Sequence, residues 1–488
     1  MTSQRHYHIF TEMSRPILLL SFVFSTFLTL ISCSAEPSAS SSPEETAADR
    51  NLLRAMELVD AGVRNYFSGE SMSMARYYNP YTESASGERG SVWMYTSSIE
   101  AVNAIMHTLV TQKNLGDSSM YDKYFDKYSD LQRKLFEGAQ YYKGTFTLVS
   151  YTQTKEWSVY AVNRAGAPGT ADVSGVMNVY DDQQWLIREW IEAYRLTGDD
   201  RYLHEAEYLC EYVLDGWDCT LNNSGKEYGG ITWGPGYVTK HSCSNGPFIS
   251  PLVWLHEIYK DSEATVTYGY IKPDKSRASK TVKKSEYYLE FAKKVYDFQR
   301  SNLMRSDGVY DDMLGGDDTH GQVVYEEVGG KRYRKHTNLY NRVGPAYSYN
   351  SGTMLSGASD LYRVTRDGKY LSDLQNLVSS SFRYFAKLDA DKPGFYSYDI
   401  SGFNNWFNGV LMRGYFDAYK YDISAETPLE SFQANLDYAW DKYLYSSMLP
   451  TNLLLGWGAD RSKQNVEGMF VFAFAAEYAV LARYKTEY

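Results

Sequence analysis

From about Asp49 onward, apolar residues recur at helical spacing. Leu52, Met56, Val59, Val63 and Tyr66 fall at i, i+4, i+7, i+11 and i+14. Tyr288, Phe291, Ala292, Val295 and Phe298 repeat the pattern, as do Leu429, Phe432, Leu436 and Tyr443. Each stripe marks one face of an amphipathic helix, and no βαβ alternation interrupts the series. About twelve such segments are predicted, starting near residues 49, 97, 118, 182, 200, 244, 284, 351, 368, 407, 429 and 465. β-like stretches at 145–151 and 322–325 lie between them. The class is all-α.

An internal echo narrows the architecture. Tyr194-Arg195-Leu196-Thr197-Gly198-Asp199-Asp200-Arg201-Tyr202-Leu203 matches Tyr362-Arg363-Val364-Thr365-Arg366-Asp367-Gly368-Lys369-Tyr370-Leu371 at an offset of 168. Each copy reads as helix, polar turn and second helix, an αα-hairpin. Hairpin repeats build a solenoid or a closed ring. Long loops follow the odd-numbered segments and short turns the even ones, which suits an (α/α)6 toroid of six inner and six outer helices. The long loops then gather where the inner helices begin, and polar-aromatic clusters at those starts are expected to converge on one rim.

The 488 residues suffice for two to four small domains or one large closed fold. With 49 basic against 60 acidic side chains the balance disfavours a nucleic-acid partner. Tyr (46) outnumbers Phe and Trp (21 and 10), giving an aromatic yet wettable composition suited to sugar faces or to a Tyr-rich core. Arg5 and Arg15 precede an apolar run from Pro16 to Ile31, too short and wrongly flanked for a stable span, so residues 1–32 read as a secretory signal. Leu30-Ile31-Ser32-Cys33 resembles the bacterial lipoprotein box, which implies lipidation of Cys33 and a membrane-anchored lipoprotein, periplasmic or at the cell surface. An ordinary cleaved signal is the alternative. Residues 33–48, rich in Ser, Pro, Glu and Ala, read as a flexible tether, leaving 49–488 as one domain, expected to be a monomer. Cys210, Cys219 and Cys243 match no zinc spacing, and the eight His residues form no His-x-x-x-His pair, so no metal or other cofactor is expected.

Four acidic doublets occur: Asp181-Asp182, Asp199-Asp200, Asp311-Asp312 and Asp317-Asp318. A doublet at a helix start commonly means a cap plus a first-turn acid. Asp199-Asp200 fits that, and Asp317-Asp318 reads as a polar loop. Asp181-Asp182 is flanked by Val179 and Tyr180 before it and Gln183, Gln184 and Trp185 after it, at an inner-helix start on the loop-rich rim. Glycoside hydrolysis needs one charged and one neutral carboxyl. Neighbouring aspartates at a helix N-terminus are able to supply that split.

Tyr180-Asp181-Asp182-Gln183-Gln184-Trp185, continuing through Tyr194 to Leu203, resembles the signature of glycoside hydrolase family 76, the bacterial endo-α-1,6-mannanases. So do Gly229-Gly230-Ile231-Thr232-Trp233 with Lys240 and Ser244-Asn245, Tyr349-Asn350-Ser351-Gly352, and Phe407-Asn408-Gly409-Val410. The resemblance runs from about Trp93 to the C-terminus. It implies an α/α toroid acting with retention on α-1,6-linked mannose backbones. Asp181 would be the nucleophile and Asp182 the acid that protonates the departing oxygen and later activates water. Thr232 stands where an aromatic residue is expected, and insertions at 151–175 and 261–284 exceed the family pattern.

Trp93, Trp233, Trp406 and Trp457 either floor sugar subsites or pack the core. Asn245, Asn350 and Asn408 either bond sugar hydroxyls or cap helices. Lys240 reaches a hydroxyl, the carboxylates or solvent. Two other readings compete: a non-catalytic glycan-binding lipoprotein, for which the acid doublet is superfluous, and a transglycosylase, lyase or other hydrolase on the same fold.

Overall fold

The computed structural model describes residues 45–315 and 322–488. The signal segment, Cys33, most of the tether and Asp317-Asp318 lie outside the described residues. Twelve α-helices occur among those described: α1 (Ala47–Tyr66), α2 (Val92–Asn114), α3 (Ser119–Ala139), α4 (Tyr180–Thr197), α5 (Asp200–Asp215), α6 (Ile249–Ile258), α7 (Lys284–Leu303), α8 (Ser348–Thr365), α9 (Gly368–Phe385), α10 (Asn404–Tyr419), α11 (Glu426–Tyr443) and α12 (Gly468–Glu487). The even-numbered helices touch in sequence around a ring, α12 returning to α2, and the odd-numbered helices back onto them. Because α1 packs on α12, the two ends of the chain close the circle. This is the (α/α)6 toroid.

Inner and outer helices differ as burial demands. Every residue of α12 from Gly468 to Ala479 is buried, whereas α3 and α9 bury single stripes. Where α8 meets α10 the backbones approach closely. A Cβ on Gly352 would lie 2.6 Å from the Val410 carbonyl, and one on Gly414 2.6 Å from that of Gly352.

The repeated hairpins fold alike. α4 ends at Gly198 (φ +72°), whose amide donates to Tyr194 O at 2.7 Å, and α8 ends at Arg366 (φ +57°), whose amide donates to Tyr362 O at 2.9 Å. Asp199 then accepts from the Arg201 amide and Asp367 from the Lys369 amide, each at 3.0 Å, capping α5 and α9. These are αL stops followed by N-caps.

The structure departs from the expected layout in three places. Thr46 caps α1 through the Asp49 amide, so residues 47 and 48, assigned to the tether, are helical. A 3-10 turn at Gly246–Phe248 delays α6. The alternation of long loops and short turns fails once: α6 and α7 are joined by an antiparallel hairpin of Thr265–Ile271 with Arg277–Lys283, in the insertion noted at 261–284. Cys210, Cys219 and Cys243 are buried free thiols. No helix of the described residues is long and apolar enough to cross a membrane.

Candidate active site

The loop-rich face carries a cleft of about 900 Å³. It is lined from the starts of α2, α4 and α10 and from the loops entering α6 and α8. The start of α12 contributes nothing. Val466–Glu467 instead pairs with Tyr77–Asn79, and Glu467 accepts from Arg76 at 2.9 Å, so the sixth sector is closed by a small sheet.

Both members of the Asp181-Asp182 doublet line this cleft, in the first turn of α4. Val179 caps α4 without a side-chain bond, so the first-turn amides favour a negative charge there. The two glutamines that follow lock the helix. Gln183 exchanges bonds with the Tyr160 backbone, at 3.0 Å to its amide and 2.8 Å to its carbonyl, and Gln184 donates to Ser244 O at 2.7 Å. The Tyr180 amide donates to Trp233 O at 2.7 Å. The stretch Asp-Asp-Gln-Gln thus points two acids at the cleft and uses two amides to hold them there.

Among the described residues no Lys or Arg lines the cleft beside the two aspartates, and Asp181 Oδ1 is buried without a hydrogen-bond partner. Burial pushes Asp181 up to about 6, with the Cys243 thiol, the Trp233 indole and the helix-start amides pulling it back. Asp182 is driven well above the usual carboxylate range by burial and then by the charge of Asp181. The pair is therefore split: Asp182 holds the proton and Asp181 ionises first.

A third carboxyl faces the same space. Asp312, in the loop before α8, receives the Tyr349 hydroxyl at 3.4 Å, and burial raises it to about 6. Its doublet partner Asp311 turns away toward Arg305 at 3.5 Å and Arg342 at 4.0 Å. Asp312 was not singled out from the sequence. It lies in an aperiodic loop, and its bond to Tyr349 spans 37 positions.

Trp93, Trp233, Tyr349 and Trp406 line the cleft. Trp406 meets Trp93 edge-on at 5.3 Å and Trp185 at 4.9 Å, and Trp233 stacks on His241 at 4.8 Å. The remaining candidates lie elsewhere. Tyr180 is buried against Tyr212, their rings 5.1 Å apart. Trp457 donates to Tyr443 O at 2.6 Å, away from the cleft. Lys240 is buried in an ion pair with Asp218 at 2.8 Å, and His336 bonds the same oxygen at 2.7 Å. Asn245, Asn350 and Asn408 are buried and bonded to Ile231 and His241, to the Tyr310 and Asp311 carbonyls, and to Ser348 and Asp399. Thr232 donates to Gly234 O at 2.9 Å and faces no sugar site. Among the described residues no group of His, Cys, Asp and Glu could hold a metal ion.

The model of Glycosyl hydrolase family 76 matches residues 277–478. That segment is similar to the family 76 glycoside hydrolases. It runs from the inserted hairpin into α12 and does not include Asp181-Asp182, so the first half of the chain is related to the solved members of that family through its fold alone. A family 76 mannosidase from Bacteroides thetaiotaomicron is 21% identical, covering 90% of this chain and 99% of its own, with a TM-score of 0.64. The family 76 α-1,6-mannanase of Salegentibacter sp. is 18% identical, covering 88% and 98%, with a TM-score of 0.57. An inactive variant of that mannanase, with two consecutive aspartates changed to asparagine, was solved in complex with α-1,6-mannotriose at the same identity and TM-score, covering 88% and 99%. At these identities the likeness speaks to fold. No curated protein matched the chain.

Proposed function

We propose that this chain is a family 76 glycoside hydrolase, a retaining, endo-acting hydrolase of α-1,6-mannosidic bonds. One observation carries the reading: two consecutive carboxyls at the start of an inner helix face a cleft lined with aromatic rings, one ionising before the other. The solved α-1,6-mannotriose complex of a similar fold supports the substrate class. The lining includes three aspartates and no Lys or Arg, which suits a neutral polysaccharide and disfavours uronates or phosphorylated sugars.

In the first step Asp181 attacks the anomeric carbon while Asp182 gives its proton to the departing glycosidic oxygen, forming a mannosyl-Asp181 ester. Asp182, now charged, takes a proton from water, whose oxygen attacks the same carbon and frees Asp181. Trp93 and Trp406 offer flat faces to the sugars on either side. Linear α-1,6-mannan incubated with the protein should give a ladder of shorter mannans on sizing, with the α-anomer appearing first by NMR. Intact polymer would end the substrate assignment, and a β-anomer first would end the retaining mechanism.

The delivery of the enzyme belongs to the same proposal: residues 1–32 are removed, Cys33 is lipidated, and a short tether holds a monomeric toroid at a bacterial membrane. Labelled palmitate should enter the wild type and not Cys33→Ala, and the detergent-solubilised protein should scatter as a single copy.

A further inference from the structure

The inserted hairpin between α6 and α7 creates a cavity of its own. The other turns after even-numbered helices span only 115–118, 198–199, 366–367 and 420–425. Here the chain instead leaves the ring, folds back and docks against the turn at 150–153. A Cβ on Gly269 would stand 2.6 Å from the Thr152 hydroxyl. Arg277 donates to Tyr151 O at 3.1 Å and to Glu326 at 2.8 Å, and its guanidinium lies 4.3 Å from the Tyr333 ring. Between this arm and the ends of α5 and α7 lies a cavity of about 400 Å³, within the range of small-ligand sites. It shares no lining residue with the catalytic cleft.

The lining combines rings with acceptors. Val266, Tyr268 and Tyr270 alternate along the inner strand, so their side chains share one face, with Trp217 and Tyr333 also contributing. Asp215 supplies the polar end. Its Oδ1 accepts from Ser150 at 2.9 Å and Gln153 at 3.0 Å, while Oδ2 is buried with no partner. A buried carboxylate oxygen without a donor is costly, and a ligand hydroxyl is the group that would satisfy it. Glu211 and Glu227 are paired with Lys155 and Lys294 and Arg277 with Glu326, so among the described residues Asp215 and Lys331 are the lining charges left without an ion pair and no net positive charge draws an anion. The described carboxylates form no cluster fit for a metal. Aromatic faces beside unpaired acceptors are the complement of a neutral hexose, whose C–H face stacks and whose hydroxyls donate.

We propose that this flank cavity is a second carbohydrate site, holding one or two neutral hexose units of the polymer while another stretch of it occupies the catalytic cleft. The assignment of that polymer as mannan rests on the function proposed above. The test uses the full chain carrying Asp182→Asn, so that polymer stays intact, in native gels containing yeast mannan. Asp215→Asn preserves the acceptor facing Ser150 and Gln153 and turns the unpartnered oxygen into a donor. Tyr270→Ala removes a half-buried ring. Each should weaken retardation about five- to tenfold in apparent Kd. In the otherwise wild-type enzyme both should leave kcat/KM on α-1,6-mannotriose unchanged. Equal retardation in both variants, or no retardation of the parent, overturns the proposal. So does a parallel loss of trimer turnover, because the cavity would then belong to the catalytic cleft. A wild type that retards normally but releases no mannose oligomers would break the mannanase reading and leave the second site standing.

Discussion

The hairpins α4–α5 and α8–α9 are two renderings of one design, yet only one of them begins with a pair of acids. Their turns share the αL stop, the threonine before it and the capping aspartate after it. At their leading ends, 168 positions apart, Asp181 and Asp182 correspond to Tyr349 and Asn350. Tyr349 reaches the cleft and holds Asp312, while Asn350 is buried against the carbonyls of Tyr310 and Asp311. The scaffold therefore does not make the acids. It offers equivalent helix starts, and the proposed chemistry sits where the pair set there is one ionised and one protonated carboxyl.

Exchanging residues between the copies tests this. Asp182→Asn installs the residue of the second copy and removes the transferable proton, so turnover of α-1,6-mannan should fall by about 10²–10⁴, read as kcat by reducing-end release. Activity near wild type would dissolve the distinction between the hairpins. The converse, Asn350→Asp, buries a charge before two carbonyl oxygens. It should cost about 3 kcal/mol of stability in urea unfolding without creating a second catalytic centre.

The third aspartate refines the comparison. The proposed nucleophile works charged, so kcat/KM should rise as pH passes through about 6, where Asp181 ionises. The proposed acid works protonated, so activity should fall again at the higher pH where Asp182 loses its proton. Asp312→Asn deletes a charge that repels ionised Asp181, so the acid limb should move to lower pH, by less than about one unit. Asp311→Asn, whose carboxyl faces arginines, should leave profile and turnover nearly unchanged.

The smallest effect concerns the turns. Gly198→Arg forces a side chain into φ +72° and should cost about 1 kcal/mol, whereas Arg366→Gly relieves the same strain and should gain less than that in thermal unfolding. Equal responses would mean that the turns are not equivalent.

The legibility of this molecule follows the range of its interactions. The helices and the ring order were readable because a stripe of period 3.6 is local, and the repeated turn because glycine, threonine and aspartate act within five residues of one another. The acid doublet stood out because it begins such a helix. What escaped depends on distant partners. Lys240 meets Asp218 across 22 positions and His336 joins them across 118, so nothing near Lys240 announces that it is withdrawn from the cleft. Asp312 is drawn in by Tyr349, and the α12 sector is closed by strands nearly 400 residues apart. The asparagines offered two roles each, and burial among backbone carbonyls chose the structural one.

The seam between α1 and α12 has a consequence for how the molecule can come into being. A circle whose twelfth stave supports its first stays open until that stave has been made, and a chain cut short before residue 468 would strand the apolar flanks of both α1 and α2. Joining the ends and opening the polypeptide at the turn of Gly198 would move that seam elsewhere, making the order of assembly a property of where the thread is cut and not of the ring itself.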